Sequence, residues 1–391
     1  EYVRENMFSP YMGTALNSII RIKNELKNGG EEMNIPLVSR LTGAGVSTGT
    51  LVGNEEKIDD YGMRVRLDWA RNAIVTTKAE SQKDSADIFG EAKPLLQDRG
   101  KELQRDELIQ ALMAFPSESA PTNLGTDEGQ RVNGSVFNVA FPTFTSTTAF
   151  NTYVADNVDR LVFGNALSNH YSTTAIASAT SALSVIVSVK LTSTTISLMK
   201  RRAELCSPKI RPYRTEDGYE YYVLFAGSNA FRDARFDTVI YTANKDARSR
   251  EGQGMKNNPI FQDGDLVWDG VIVRKVPEIS TFVTNTWTAL ASASVSGRVE
   301  PVFLCGQQAA VLGFGQMAKP TFRKEDDYGF ITGTGIEMAY GVSKMFKKHA
   351  MYIPGTTTLN SSASGNTSGG GLASLVQWGM VTGFFYASQD A

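Results

Sequence analysis

The sequence predicts an α+β fold from two changes in its hydrophobic periodicity. Apolar residues alternate with polar ones over residues 33–38 and 63–69, as in strands, and recur at helical spacing over residues 81–113. Most of the chain after residue 299 returns to strand-forming patterns. Strands and helices in separate stretches favour an α+β fold over a doubly wound α/β fold. The length of 391 residues allows two or three compact cores.

The composition excludes several classes of protein. Hydrophobic residues make up 41% of the chain and charged residues 20%, which is typical of a globular protein and not of a wholly disordered one. The net charge of −2 argues against DNA binding by bulk electrostatics, which needs a clustered basic surface. No stretch approaches the ~20 apolar residues that span a bilayer, so we expect no membrane partner.

Residues that usually carry chemistry are few. Cys206 and Cys305 lie far apart, and the two histidines, His170 and His349, show no metal-ligand spacing. No G-x-S-x-G motif or other nucleophile signature occurs. We therefore expect no enzymatic activity, no catalytic or metal site and no cofactor.

Two loop motifs between residues 43 and 60 have ordinary structural explanations. Residues 43–49 form G-x-G-x-x-x-G, one residue longer than the dinucleotide fingerprint, and no helix follows directly. The acidic residues that follow lack the ligand order of an EF-hand loop; they are Glu55, Glu56, Asp59 and Asp60. This cluster is interpreted as a solvated loop, or as the acidic side of salt bridges with arginines of a neighbouring subunit.

The first segment is predicted to contain one amphipathic helix from Thr14 onward. Leu16, Ile19, Ile20 and Leu26 lie at helical spacing, and Gly29 and Gly30 end the pattern. A single helix of this length is marginal alone and needs a surface to dock on.

A long β-hairpin is predicted next. Residues 33–38 form one strand, with Pro36 favouring a sheet edge. In the second strand, apolar and polar side chains alternate, so each kind lies on its own face. The apolar face is Met63, Val65, Leu67 and Trp69, and the polar face includes Arg64 and Arg66. An isolated two-stranded ribbon is barely stable in water, so this hairpin is expected to lie on a partner. These six residues, with Glu55 and Glu56, are the candidate inter-subunit contacts.

The predicted helix over residues 81–113 includes Pro94 and Gly100, which are expected to kink or split it. Residues 115–155 resemble an extended loop held on a surface. Helices are then predicted over 172–205 and 231–250, and strands over 219–225 and 271–276. Asp269 and Gly270 form a hairpin-turn signal.

The last third is predicted to be strand-dominated over residues 299–304, 334–342 and 376–386. The low-complexity stretch 355–371 between them is expected to be a surface loop.

The chain also carries six short stretches in a characteristic order. They are residues 6–13 (NMFSPYMG), 35–45 (IPLVSRLTGAG), 53–56 (GNEE), 258–261 (NPIF), 306–310 (GQQAA) and 326–330 (DDYGF). With the order of arm, hairpin, long helix, mixed region and returning sheet, the chain resembles major capsid proteins of tailed bacteriophages of the Hong Kong type. Within that group it is similar to a capsid family of podovirus-like phages.

This resemblance implies a Hong Kong-type capsid fold in five parts. The parts are an N-terminal arm (1–32), an extended β-hairpin loop (33–78), a peripheral domain with a spine helix and an insertion (79–170), an axial domain (171–300) and a return of the peripheral domain (301–391). The loop would reach over a neighbouring subunit. The axial domain would gather around five-fold and six-fold centres.

The function implied by the resemblance is structural. A major capsid subunit would assemble through pentamers and hexamers into an icosahedral shell that encloses double-stranded DNA without sequence-specific binding. Portal, scaffolding or decoration proteins would be further partners, the host cytoplasm the place of assembly, and the virion the final location. A phage tail or fibre structural protein is the alternative, since it would also be β-rich and free of catalytic motifs.

Overall fold

A computed structural model describes most of the chain. The described residues are 6–24, 32–38, 45–52, 55, 60–83, 88–115, 131–133, 135–136, 157–165, 189–215, 218–250, 266–282, 298–326, 328, 330–348 and 375–387. The expectations for the loop over 115–155 and for the stretch 355–371 lie almost entirely outside them. The helices expected between residues 172 and 188 lie outside them as well.

The described elements are one long helix, several shorter helices and many strands. The helices are α1 (Lys78–Lys83), α2 (Ile88–Met113), α3 (Ser193–Leu205), α4 (Ser228–Phe236), α5 (Thr238–Arg250) and α6 (Pro277–Phe282). The strands of the first half are β1 (Met12–Gly13), β2 (Ile20–Asn24), β3 (Glu32–Val38), β4 (Asp60–Arg66), β5 (Asp68–Thr77), β6 (Ala114–Phe115), β7 (Ser135–Val136) and β8 (Leu161–Phe163). Those of the second half are β9 (Tyr213–Arg214), β10 (Glu220–Ala226), β11 (Leu266–Trp268), β12 (Val271–Lys275), β13 (Arg298–Cys305), β14 (Ala310–Asp326), β15 (Ile331–Lys344), β16 (Phe346–Lys348), β17 (Leu375–Gln377) and β18 (Met380–Ala387).

A five-stranded sheet is built around the two longest strands. Its order is β1-β2-β14-β15-β5, and β14 pairs with β15 in antiparallel register from Ala310–Lys344 to Asp326–Ile331, with three irregularities. Helix α2 crosses one face of this sheet. Gly100 faces the sheet, since a Cβ at this residue would stand 3.6 Å from the methyl group of Met338.

A second sheet of seven strands lies beside the first. Its main path is β11-β12-β10-β13-β18-β8, and β9 pairs with the outer end of β10. The turn between β11 and β12 has Asp269 and Gly270 at φ 49° and 69°, which confirms the predicted hairpin turn. Helices α3, α4 and α5 pack on one face through apolar side chains that include Ile196, Phe231 and Ile240.

One core joins the two sheets. It contains Leu108, Ile109 and Leu112 of α2, residues of β14 and β15, and Phe225 and Phe303 from the other face of the seven-stranded sheet. The helix, the five-stranded sheet and the seven-stranded sheet therefore share one buried layer.

The helix predicted from Thr14 onward is wrong. The structure has strand β2 at Ile20–Asn24, parallel to the start of β14. Ile19 and Ile20 are buried as the helical stripe required, but adjacent β-branched residues also suit a strand. Strand β14 supplies the backbone hydrogen-bond partners that hold this segment in an extended conformation.

Two other long helices differ from their predictions. Helix α2 begins at Ile88 and not at residue 81, and it reaches Met113 as expected. It runs through Pro94 and Gly100 without interruption. The helix predicted over 231–250 divides into α4 and α5 at Asp237, which is extended (ψ 120°).

A partly exposed hydrogen-bond acceptor, Asp237, explains that division. The Asp237 carboxylate accepts bonds from the backbone N–H groups of Val239 (3.0 Å) and Ser193 (2.7 Å). Burial alone would raise the pKa of Asp237, but these bonds outweigh it and lower the pKa. One side chain thus satisfies the N-termini of two helices.

The predicted boundary between residues 300 and 301 passes through β13. Strands β13 and β18 pair with each other, and β13 pairs with β10, so residues 301–305 and 380–387 share a sheet with residues 220–275. The predicted parts 171–300 and 301–391 therefore share one sheet.

Lys344, at the end of β15, is buried in the apolar interior. Burial lowers its pKa to about 7, against an opposing effect of Cys305. Since the unfolded lysine has a pKa near 10.4, the unfolded chain holds a proton between about pH 7 and 10 that the folded chain lacks. Stability therefore rises with pH through this window, and the full penalty is present below it.

We expect Lys344→Met to stabilise the free subunit at pH 6 by a few kcal/mol, on the order of a three-unit pKa shift. The gain should shrink as the pH rises towards 10. Urea unfolding at several pH values measures it, and the exposed Lys101→Met serves as the control. An equal gain at pH 6 and pH 10 would contradict the assignment of the shift to Lys344.

Candidate assembly surfaces

The base of the predicted hairpin is attached to the subunit's own body. Strands β3 and β4 pair from Glu32–Arg66 to Val38–Asp60. Their inward side chains, which include Met63 and Val65, are fully buried against Val311, Met345 and Phe346. The expectation of an apolar face turned towards a neighbour is therefore wrong for Met63 and Val65, because the subunit's own core covers them.

The predicted second strand divides at Leu67. Residues before it form β4 and residues after it form β5, which joins the five-stranded sheet. Leu67 is partly buried over the glycines of β14 and β15, within 3.4 Å of the Cβ positions at Gly313, Gly315 and Gly341. A Cβ at Gly341 would stand 1.9 Å from the carbonyl oxygen of Arg66, so only glycine permits this crossing.

Trp69 lies on β5 and is half exposed, at 50%. Of the two arginines on the polar face, Arg64 lies 3.6 Å from the carboxylate of Glu32 and Arg66 lies 3.3 Å from it. Glu32 is thus an acidic partner within the subunit that the sequence pattern did not reveal. Glu55 is exposed, and Glu56 lies outside the described residues.

The root of the hairpin is held by residues 131–133. The Nε of Arg131 donates to Glu107 at 2.8 Å and its Nη1 donates to the Trp69 carbonyl at 2.9 Å. Asn133 accepts from the Arg66 N–H at 2.9 Å and donates to the Arg66 carbonyl at 3.2 Å. This segment therefore fixes the backbone on both sides of Leu67.

The ion pair at this root is buried. Burial raises the pKa of Glu107 although Arg131 acts to lower it, and burial and Glu107 raise the pKa of Tyr340 beside the pair. Glu107 is a buried polar residue that the sequence motifs did not indicate. The available signal was an acidic residue at helical spacing between Leu103 and Ala111, on the apolar stripe of α2.

Exposed apolar side chains occur at many further places, of which three are at loops or corners of the subunit. They are Leu51 and Val52 in the hairpin loop, Tyr328 between β14 and β15, and Phe236 at the α4–α5 corner, where exposure is 75%. Where such groups form a contiguous patch, they are typical of contact surfaces.

Within the described ranges, no group of three or more histidine, cysteine, aspartate or glutamate side chains could hold a metal ion. Among the described helices, none combines the length and hydropathy that crossing a bilayer requires.

Comparison with known proteins decides the family. A family model for phage capsid proteins matches residues 1–350. The chain belongs to the phage capsid protein family. No curated protein matches the sequence.

Solved capsid structures resemble the chain over nearly its full length. The capsid of cyanophage Pam1 shares 31% identity, with a TM-score of 0.71 over 100% of this chain and 94% of that one. The capsid of Ralstonia phage GP4 has 16% identity and a TM-score of 0.67 over 100% and 93% of the two chains. That of Helicobacter pylori bacteriophage KHP30 has 13% identity and a TM-score of 0.62 over 98% and 92%.

These findings confirm the predicted resemblance and the structural role of the protein in a capsid. They do not favour the alternative of a tail or fibre protein. The mixed sheet-and-helix architecture of the capsid protein is likewise that of the capsid structures.

We expect Arg131→Met to destabilise the unassembled capsid protein by about 3–5 kcal/mol, because it leaves the Glu107 carboxylate buried without its partner. Adding Glu107→Gln should recover part of the loss. Arg64→Met, which removes an exposed ion pair, should cost less than about 1 kcal/mol. Urea unfolding measures all three, and equal costs for the two arginines would contradict the role assigned to Arg131.

Proposed function

We propose that this capsid protein builds a closed icosahedral shell from pentamers and hexamers and that the shell encloses double-stranded DNA. The full-length likeness to the Pam1 capsid, at 31% identity, carries the proposal. Exposed apolar groups on several sides of the subunit support it, because a shell subunit must contact several copies at once.

The proposed parts follow the Hong Kong-type arrangement. Residues 1–32 are the arm, 33–78 the extended loop, and 79–170 the peripheral domain with α2 as its spine helix. Residues 171–300 are the axial domain, and 301–391 return to the peripheral domain. The shared sheet of β10, β13 and β18 means that the last part also completes the axial sheet.

The proposed contacts with neighbouring subunits are the members of the candidate set other than the buried Met63 and Val65. Trp69, Arg64 and Glu55 have exposed side chains, and Arg66 and Leu67 are half-buried. Glu56 is included as the neighbour of Glu55 in sequence. Met63 and Val65 contribute indirectly, since their burial on Val311 and Phe346 fixes the root from which the loop extends.

The remaining parts of the proposal concern partners and place. The protein is proposed to have no enzymatic activity and to need no cofactor. Portal, scaffolding and decoration proteins are proposed as further partners, with assembly in the host cytoplasm.

Electron microscopy of the purified, assembled protein tests this proposal. We expect closed shells with five-fold and six-fold capsomers from the wild type. Trp69→Ala should abolish or slow shell formation while the free subunit stays folded, because half of this side chain is exposed. Trp69→Phe, which retains an aromatic ring, is the matched control.

Helical tubes or discrete oligomers from the wild type would overturn the proposed shell. Unfolding of the Trp69→Ala subunit would show instead that Trp69 belongs to the subunit core.

The inner surface is proposed to enclose DNA without gripping it. The net charge of −2 offers little counterion release. In the basic run of residues 200–202, Lys200 lies 3.1 Å from Asp269 and 3.9 Å from Glu204, so part of that charge is neutralised within the subunit.

We expect the free subunit to bind DNA weakly, with a shallow dependence on salt, as measured by fluorescence anisotropy at several salt concentrations. Tight binding at physiological salt that Lys200→Gln and Arg201→Gln remove would contradict this prediction.

A further inference from the structure

Strand β5 is the edge of the five-stranded sheet. It runs for 10 residues from Asp68 to Thr77 and pairs with β15 on one side. In the described part of the chain, no strand pairs with its other side. An edge of this length presents a row of backbone donors and acceptors that another strand can use.

The register shows which residues present those groups. A Cβ built at Gly335 would stand 3.0 Å from the carbonyl oxygen of Asn72, and one at Gly333 would stand 3.3 Å from that of Ile74. Asn72 and Ile74 therefore direct their backbone groups towards β15. Backbone groups alternate in direction along an antiparallel strand. Arg71, Ala73 and Val75 therefore direct their N–H and C=O groups to the outer edge.

The two ends of the same edge are closed by the subunit itself. The Trp69 N–H donates to Asp68 at 2.7 Å, and the Trp69 carbonyl accepts from Arg131 at 2.9 Å. At the other end, the Thr77 N–H donates to Glu80 at 3.1 Å. The open part of the edge is thus the segment 71–75, which spans about 13–17 Å at 3.3 Å per residue.

A cleft of about 1330 Å³ lies between α2 and the sheet, and its lining includes Arg71, Asn72 and Ala73 of the open segment together with Ile336 and Met338 of β15. Strand β5 forms one side, and α2 forms the other with Arg99, Gly100 and Leu103. The cleft offers room for an extended chain alongside the edge. Arg71 and Arg99 are both exposed on its rim.

We propose that the open edge of β5 accepts an added strand from a second copy of this chain. The added strand would pair with the backbone of Arg71, Ala73 and Val75 and would lie in the cleft beside α2. This inference rests on the proposed function, since a shell surrounds each subunit with further copies.

The chemistry of the exposed hairpin loop supports a second copy as the occupant. Leu51, Val52 and Glu55 are exposed on this loop, so it presents apolar groups and a negative charge. The lining of the cleft presents the apolar ring of Trp69 and the positive charge of Arg71, and it includes Arg99, which is paired with Glu102 at 3.4 Å. Strand addition gives affinity through main-chain bonds, and the side chains give selectivity.

Hydrogen exchange with residue-level mass spectrometry tests the proposal. In the free subunit, the amides of Arg71, Ala73 and Val75 should exchange fast, and those of Asn72 and Ile74 slowly. In wild-type shells, all five should exchange slowly. If the three outward amides exchange fast in shells, or slowly in the free subunit, the proposal is overturned.

Ala73→Pro gives an independent test, because it removes an outward N–H and leaves the ladder with β15 intact. We expect its critical concentration for assembly to rise about fivefold or more relative to Ala73→Val, which keeps the amide. Equal assembly of the two variants would overturn the strand addition. Failure of the wild type itself to form shells would instead contradict the proposed function, and the exchange measurement stands even if Ala73→Pro does not fold.

Discussion

The antiparallel pairing of β14 with β15 is the interaction on which the rest of the capsid protein depends. Strands β2 and β5 extend this pair on its two sides into the five-stranded sheet, and α2 packs across β15. The hairpin of β3 and β4 closes its small core on Val311 and Phe346, which lie on or directly after this pair. A two-stranded hairpin is marginal by itself, so without the pair the root of the loop would have no surface to fold against.

Close backbone approach is the physical constraint at that root. The Arg66 carbonyl passes over Gly341, where any side chain would collide with it. Buried polar groups at the same place must be satisfied, and Arg131 and Asn133 supply the donors and acceptors. The loop therefore leaves the body in a fixed direction while Trp69 stays half exposed.

The proposed assembly surfaces share this design. The Asp237 carboxylate holds the corner that presents Phe236, and Arg131 holds the backbone that presents Trp69. Surfaces that are already ordered lose less conformational entropy on association than flexible ones. When modest contacts are repeated around a shell, the smaller loss of conformational entropy favours each of them.

Local pattern predicted the strand at 33–38, the long helix ending at Met113 and the turn at Asp269, because periodicity and turn chemistry are properties of neighbouring residues. It failed at Ile20, whose helical spacing also fits a strand beside β14, and at Met63, whose alternation does not say what covers it. Of the candidate contact residues, Trp69 is half exposed, whereas the sequence pattern did not indicate Glu32 and Arg131, which hold the backbone near it. The sequence by itself determined the period of the strand at 33–38 and of the helix ending at Met113, since both depend on neighbouring residues. Only the tertiary structure decided which faces are buried, because residues more than 200 positions away, such as Val311 and Phe346, cover them.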